Sequence, residues 1–260
     1  MTEPQPTVLY HEDGAVGVIT FNRPEKLNAL NPQVLDDLEA AVDAFEASDV
    51  RCGVVTGNGR AFVAGADIGH YVGLTIHQYR DFMVRGRAAH DRLVHSPKIL
   101  IAAVEGFALG GGFELALCCD LIVAAADARF GLPEVKLGLL PGGGGTQRLS
   151  RALGARRTLD LLVTGRFVHA DELASWGIVS RVIEKGGALS EATRLADLIA
   201  AQAPHAVRLA KRLLRDGADA PLEAALTLEH AETAALYMTE DAREGISAFI
   251  EKRPAAFTGR

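Results

Sequence analysis

The sequence predicts an α/β fold, in which short strands alternate with helices along the first two-thirds of the chain. Two observations predict it. Short runs rich in β-branched residues recur along this part of the chain, and apolar residues at helical spacing lie between them. Because parallel strands of one sheet need a crossover connection, usually a helix, this alternation indicates a largely parallel sheet.

Five runs predict the strands of the core. They cover residues 15–21, 52–56, 99–104, 121–124 and, more weakly, 178–183. Between the first two runs, Asn31 is suited to cap a helix and Pro32 to occupy its first position. Apolar residues follow at helical spacing, so a helix is predicted from Pro32 onward. A second helix is predicted over 76–95.

The last third of the chain is alanine-rich and charged, and none of its runs predicts a strand. Helices are predicted over 189–202, 204–215, 221–237 and 240–252. The chain is therefore divided into an α/β core over 1–190 and a helical region over 191–260. The apolar stripes of the helices from about 204 to 252 are expected to be buried against the core and against neighbouring subunits.

Composition and charge exclude several classes of protein. A chain of 260 residues with 48% hydrophobic and 23% charged residues is typical of a globular protein with its own core. The net charge of −6 argues against nucleic-acid binding, which requires a basic surface. Charges and glycines interrupt the most apolar stretch, so no membrane span is predicted. The three cysteines form a poor disulfide framework, and a reducing, cytoplasmic location is expected.

Several ligand-binding motifs are absent from the sequence. Phe62 occupies the third glycine position of a dinucleotide fingerprint, and no Gly-Lys dipeptide or Gly-x-Ser-x-Gly elbow occurs. The eight histidines form no His-x-x-x-His pair, so no metal site is expected. His90 and His95 are interpreted as surface residues. A basic stripe on a C-terminal helix is interpreted as a solvated face, and it comprises Arg208, Lys211, Arg212 and Arg215.

Three blocks carry chemical signals. The glycines 110–112 separate a predicted strand from an apolar helix, where exposed N–H groups favour an oxyanion, and Glu114 lies in that helix's first turn. A structural turn with a dipole-stabilising glutamate explains this block equally well. The block 62–68 has small residues that allow backbone N–H groups to face a ligand. Glu134 follows a proline in an apolar loop, where a carboxylate is either paired or held for proton transfer.

In this order and spacing, the three blocks resemble the crotonase superfamily, and within it the enoyl-CoA hydratases. The resemblance extends to segments 22–30 (NRPEKLNAL) and 244–253 (EGISAFIEKR), and so covers nearly the whole chain. It implies a crotonase-like spiral of ββα units with a C-terminal helical trimerisation region, forming a homotrimer or a dimer of trimers. It also implies hydration of a 2-enoyl-CoA thioester, in which coenzyme A is part of the substrate and no separate cofactor is required.

The resemblance implies roles for individual residues. The backbone N–H groups of Ala66 and Gly111 match the family's oxyanion hole, and Glu114 and Glu134 match the two glutamates of the hydratases. Glu114 is assigned to the water and Glu134 to the proton at C2. Residues 70–95 are expected to form the wall of the acyl pocket. The residues implied for substrate and CoA binding are Lys26, Leu27, Ala64, Ala66, Asp67, Ile68, Gly110, Gly111, Pro133 and Gly142.

The sequence departs from the family at Gly69, where many hydratases carry a lysine near the CoA phosphates. Arg60, Lys26 and Lys252 are the candidates to replace that lysine. Two other functions stay open. A Δ3–Δ2 enoyl-CoA isomerase of the same superfamily needs one carboxylate and no water, and Glu114 argues against it. A non-catalytic CoA-thioester or RNA-binding protein is the other, although helix 32–48 is acidic where an RNA-binding protein would need lysines.

Overall fold

The computed structural model describes residues 6–260, and its strands form two sheets. The strands of the larger sheet are β1 (Val8–Asp13), β2 (Val16–Phe21), β3 (Cys52–Gly57), β5 (Ile99–Val104), β7 (Leu121–Ala125) and β10 (Arg181–Ile183). They lie in the order β1-β2-β3-β5-β7-β10. Only β1 is antiparallel to its neighbour, and the other pairs are parallel, as the predicted crossovers require.

The smaller sheet consists of β4 (Ala61–Val63), β6 (Phe107–Leu109), β8 (Arg129–Gly131) and β9 (Val168–His169), in the order β4-β6-β8-β9. The first three of these strands are parallel, and β9 is antiparallel to β8. Each of β4, β6 and β8 follows closely on β3, β5 or β7. Each turn of the chain therefore supplies one strand to the larger sheet, one strand to the smaller sheet and then a helical segment. This repeat is the predicted spiral of ββα units.

Helices connect and cover the sheets. They are α1 (Pro32–Ala47), α2 (Ile76–His95), α3 (Gly111–Ala116), α4 (Gly145–Leu153), α5 (Ala155–Thr164), α6 (Ala170–Ser175), α7 (Ala188–Ala200), α8 (Pro204–Gly217), α9 (Leu222–Tyr237) and α10 (Glu240–Glu251). The cap predicted for α1 is present, because the Asn31 side chain accepts the Val34 N–H at 2.9 Å. Thr75 and Gln78 form a capping box at the start of α2, which begins and ends at the predicted residues.

The hydrophobic core has two parts, one on each face of the larger sheet. Val55 of β3 belongs to the main cluster, which also contains α1 and the smaller sheet. The adjacent Val54 points to the other face, where it packs in a cluster with Leu195 and Ala196 of α7. The domain boundary predicted near residue 190 thus falls inside a helix that packs on the sheet.

The C-terminal helices leave much apolar surface uncovered. Leu222 of α9 is 70% exposed, and Phe249 and Ile250 of α10 are 85% and 73% exposed. Within the single chain, α9 packs mainly against α8 and α10 rather than on either sheet, and burial of these stripes against neighbouring subunits stays a prediction. No helix within residues 6–260 is long and apolar enough to cross a membrane.

A buried ion pair fastens α8 to the larger sheet. The Lys211 ammonium donates to Asp120 Oδ2 at 2.8 Å and to the Lys98 carbonyl at 3.0 Å, and the same Asp120 oxygen accepts the Leu100 N–H. The Lys211 side chain is only 6% exposed. The interpretation of residues 208–215 as a solvated stripe is therefore wrong at Lys211, because this lysine faces the end of the sheet rather than solvent.

We expect Lys211→Ala to destabilise the protein strongly, because it leaves the Asp120 carboxylate without its buried cation. A loss of about 3 kcal/mol in the free energy of unfolding is expected. Arg208→Ala removes an exposed cation from the same helix and is the matched control, with an expected loss of about 0.5 kcal/mol or less. Guanidinium unfolding measures both. Equal losses for the two variants would contradict a structural role for the buried pair.

Candidate active site

Two backbone N–H groups face the site from neighbouring strand ends. Ala66 follows β4, and Gly111 follows β6, the parallel neighbour of β4. On either side of Ala66, Leu30 N donates to Gly65 O at 2.9 Å and Asp67 N donates to Leu30 O at 2.7 Å. Since successive amides of an extended segment point in opposite directions, the Ala66 N–H faces away from Leu30. Neither the Ala66 nor the Gly111 N–H has a backbone acceptor within residues 6–260.

The glycines before Glu114 are required by close backbone contacts. A Cβ on Gly112 would lie 1.9 Å from the Val63 carbonyl oxygen, so α3 packs directly on the end of β4. Gly110 adopts a positive φ of 50°, and a Cβ there would lie 2.8 Å from Glu134 Oε1. The glycine run therefore does more than form a turn, because it lets α3 approach both β4 and the second glutamate.

Glu114 is 3% exposed and is held by the loop that precedes α4. Its Oε1 accepts the Gly143 N–H at 2.8 Å and the Gly145 N–H at 2.7 Å. Its Oε2 accepts no hydrogen bond within the described residues. Two backbone donors thus stabilise negative charge on the carboxylate and fix its direction, and the second oxygen stays available.

Glu134 lies in the single-turn helix Pro133–Leu137 that follows β8. Its Oε2 is buried and has no hydrogen-bond partner within the described part of the chain. Burial raises the pKa of Glu134 to about 7, and the nearby Glu114 carboxylate also raises it. A carboxyl group with this pKa is partly protonated at neutral pH and can donate a proton.

Glu114, Glu134, Ala66 and Gly111 line one cavity, whose empty space, including its opening to solvent, is about 920 Å³. The structure brings nine predicted site residues together around it: Ala64, Ala66, Ile68, Gly110, Gly111, Glu114, Pro133, Glu134 and Gly142. Most of the lining is apolar. The cavity is therefore suited to an apolar chain whose reacting atoms lie between the two carboxylates.

Three predicted residues do not line this cavity. Asp67 forms an ion pair with Arg23 at 3.3 Å instead. The Leu27 carbonyl accepts the Ala64 N–H at 3.0 Å, so Leu27 supports the segment that carries Ala66. Lys26 is exposed, as is Arg60, and a contact of either with CoA phosphates stays a prediction.

Aromatic side chains form one wall of the cavity. The Tyr71 ring lies 5.4 Å from that of Tyr79 and 5.6 Å from that of Phe82, between centroids. These residues fall within 70–95, the segment predicted to wall the pocket. Three leucines after Glu134 also line the cavity, although no sequence signal predicts them: Leu137, Leu139 and Leu140.

His90 also lines the cavity, so its interpretation as a surface residue is wrong. It is 3% exposed. It lies on the same face of α2 as Phe82, Met83 and Gly86, at the separations that place helical residues above one another. The sequence alone shows this spacing, which is the signal that could have placed His90 on the buried face of α2. No group of three or more His, Cys, Asp or Glu side chains in residues 6–260 is arranged to hold a metal ion.

Comparisons with known proteins agree with this geometry. The chain is 40% identical over 248 residues to a short-chain-enoyl-CoA hydratase of Clostridium acetobutylicum, with 95% of each chain covered. It is 38% identical to a crotonyl-CoA hydratase of Syntrophomonas wolfei, over 97% of this chain and 98% of that one. A crystal structure of an enoyl-CoA hydratase from Bacillus anthracis superposes with a TM-score of 0.94 at 34% identity, covering 98% and 100% of the two chains.

A family model described as enoyl-CoA hydratase/isomerase matches residues 11–260. The match includes both strand ends that carry the free N–H groups, both glutamates and the C-terminal helices. Together with full-length relatives at about 40% identity, it assigns the family. This chain belongs to the enoyl-CoA hydratase/isomerase family.

Proposed function

We propose that the cavity hydrates the 2,3 double bond of 2-enoyl-CoA thioesters to give 3-hydroxyacyl-CoA. The observation that carries this proposal is the grouping of two differently held glutamates and two unbonded N–H groups around one apolar cavity. The names of the relatives, a short-chain-enoyl-CoA hydratase and a crotonyl-CoA hydratase, support the same reaction. Coenzyme A is part of the substrate, and the proposed chemistry uses no separate cofactor and no metal.

The two N–H groups polarise the thioester. In the proposed complex, the thioester oxygen accepts hydrogen bonds from Ala66 N and Gly111 N. These donors draw electron density from the conjugated double bond, so C3 becomes electrophilic enough for water to attack. Because both donors belong to the backbone, they are already oriented before the substrate binds.

The two glutamates then exchange protons with water and carbon. As the water oxygen bonds to C3, one water proton passes to Glu114, and the π electrons move toward the thioester oxygen as an enolate. Glu134 gives its proton to C2, and the enolate returns to the thioester. The two backbone donors on Glu114 Oε1 support its role as the base, and the pKa of about 7 supports Glu134 as the acid.

Isomerisation of a Δ3 to a Δ2 double bond is the second candidate, since the family includes isomerases. That reaction moves a proton between two carbons with one carboxylate and needs no water. The position of Glu114, buried at the cavity with one oxygen free of hydrogen bonds, favours hydration. The two reactions differ in whether solvent oxygen enters the product.

We expect Glu114→Gln and Glu134→Gln each to lower the hydration rate of crotonyl-CoA by ~10²–10⁴, with much smaller effects on thioester binding. Glutamine keeps the shape of the side chain but not its proton transfer. Since both groups act on one water addition, the hydration rate of the double variant should fall by a much smaller factor than the product of the two single-variant factors. Loss of the enoyl absorbance, with ¹⁸O-labelled water, measures the reaction.

The same measurement separates the alternatives. If the protein is an isomerase, Glu114→Gln should leave the reaction rate nearly unchanged and Glu134→Gln should abolish double-bond migration. The product should then contain no ¹⁸O. A non-catalytic CoA-thioester or RNA-binding protein would show no hydration by the unmodified chain. Either outcome would refute the hydratase proposal.

We expect Ala66→Pro to lower turnover by ~10²–10³, because proline has no N–H to donate to the thioester oxygen. The fold should persist, since the Ala66 N–H has no backbone acceptor in the described chain. Ala66→Gly keeps the N–H and is the control, with turnover expected near that of the parent. Normal turnover in a folded Ala66→Pro variant, checked by circular dichroism, would exclude this donor.

We infer that the chain forms a homotrimer or a dimer of trimers in the cytoplasm. The exposed apolar side chains of α9 and α10 support an interface there, and the three free thiols support a reducing compartment. Light scattering of the parent should give the mass of three or six chains. Phe249→Glu should dissociate the assembly, because it places a charge in a buried contact. A parent that is monomeric would refute the inference.

A further inference from the structure

We propose that His90 Nε2 accepts a hydrogen bond from the attacking water and, after reaction, from the C3 hydroxyl of the product. This inference deepens the proposed hydration and rests on it. It assigns a role to the one buried histidine at the cavity, which the mechanism above does not use.

The backbone fixes which ring nitrogen of His90 is the acceptor. His90 Nδ1 lies 2.5 Å from the carbonyl oxygen of Gly86, one turn earlier on α2. A carbonyl oxygen only accepts hydrogen bonds, so Nδ1 carries the hydrogen in this contact. In the neutral ring, Nε2 then has a lone pair and no hydrogen, and it acts as an acceptor.

His90 Nε2 has no partner within the described protein. The residue is 3% exposed, and Nε2 is buried without a hydrogen bond. A buried acceptor left unpaired destabilises the folded protein, and an apolar side chain at this position would avoid that cost. Phe82 and Met83 show that the same face of α2 presents apolar side chains to the cavity. A donor on a bound molecule would remove the cost at His90.

His90 and Glu114 face the same small gap beside Gly143. A Cβ on Gly143 would lie 2.9 Å from Glu114 Oε2 and 2.9 Å from His90 Nε2. The two atoms are therefore separated by at most twice that distance, which one water can span with two hydrogen bonds of about 2.8 Å. No side chain of residue 143 occupies this gap, because the residue is glycine.

This arrangement decides which water proton leaves. A water between the two acceptors donates one hydrogen to Glu114 Oε2 and the other to His90 Nε2, and its lone pairs are free to attack C3. The first proton passes to Glu114 as the O–C3 bond forms, and Glu134 protonates C2. The second hydrogen stays on the new hydroxyl and keeps its bond to His90. His90 orients the water and exchanges no proton.

The test compares three substitutions on α2 in the full-length protein. His90→Phe keeps a ring without an acceptor, and it should lower kcat for crotonyl-CoA hydration by ~10–10² with KM changed less than about threefold. His90→Gln places an amide oxygen near the position of Nε2 and should restore kcat to within about threefold of the parent. His95→Phe is the control, since His95 makes the same backbone contact, to Asp91 O, but is exposed.

A binding measurement separates a hydrogen bond from a structural effect. In the Glu134→Gln background, which slows turnover, calorimetry compares 3-hydroxybutyryl-CoA with butyryl-CoA. Adding His90→Phe should weaken binding of the hydroxylated ligand about tenfold relative to the other. A general disturbance of the cavity would weaken the binding of both ligands equally. His90→Asn, whose shorter amide reaches Gly86 O but not the gap, should give the same selective loss and replaces the phenylalanine variant if that variant unfolds.

Two outcomes would overturn the assignment. One is a folded His90→Phe variant with kcat within twofold of the parent, and the other is an equal loss of binding affinity for the two ligands when His90→Phe is added. Failure of the proposed function is distinct, because it would appear as absence of hydration by the unmodified protein and by the His95→Phe control alike.

Discussion

Gly112 lies against the backbone of β4, at the position where a Cβ would come 1.9 Å from the Val63 oxygen. This contact sets how closely α3 approaches the smaller sheet. It places the Gly111 N–H beside the segment that carries Ala66, and it places Glu114 under the loop at 143–145. A side chain at position 112 would push α3 away from β4, separate the two donors and move the carboxylate from its partners.

Two glutamates share the cavity, but their surroundings differ. Backbone N–H groups hold Glu114 Oε1, whereas Glu134 Oε2 is buried without a donor. Burial, and to a smaller extent the nearby Glu114 carboxylate, raises the pKa of Glu134 to about 7. In the mechanism proposed above, these different surroundings suit Glu114 to take a proton and Glu134 to give one.

The sequence predicted the elements whose local signals are strong. The cap at Asn31 and the periodicity of 76–95 located α1 and α2, and the central strands of the larger sheet were predicted within a residue or two. The strands of the smaller sheet were missed, because two or three residues are too few to show alternation. The outer strand β1 was also missed, since its second half (HED) is polar and exposed.

The site was predictable only in part for a similar reason. The motifs identified both glutamates and both N–H groups, but the donors to Glu114 come from residues 29 and 31 positions further along the chain. No local pattern encodes such a distance. The interpretations of His90 and of Lys211 as surface residues are wrong because the sequence signals used for them did not include the helix face on which each residue lies. Their burial depends on which face of the helix meets the rest of the protein.

The spiral separates two tasks along the chain. The groups proposed to react follow short strands of the smaller sheet, whereas the aromatic wall belongs to α2 and the turn before it, which lie between β4 and β5. That connection starts and ends at strands whose positions the sheets already determine. Apart from His90, which the proposal above assigns to the attacking water, the side chains of α2 that line the cavity can change, and a lineage can then acquire a new preference in acyl chain while the reacting groups stay in place.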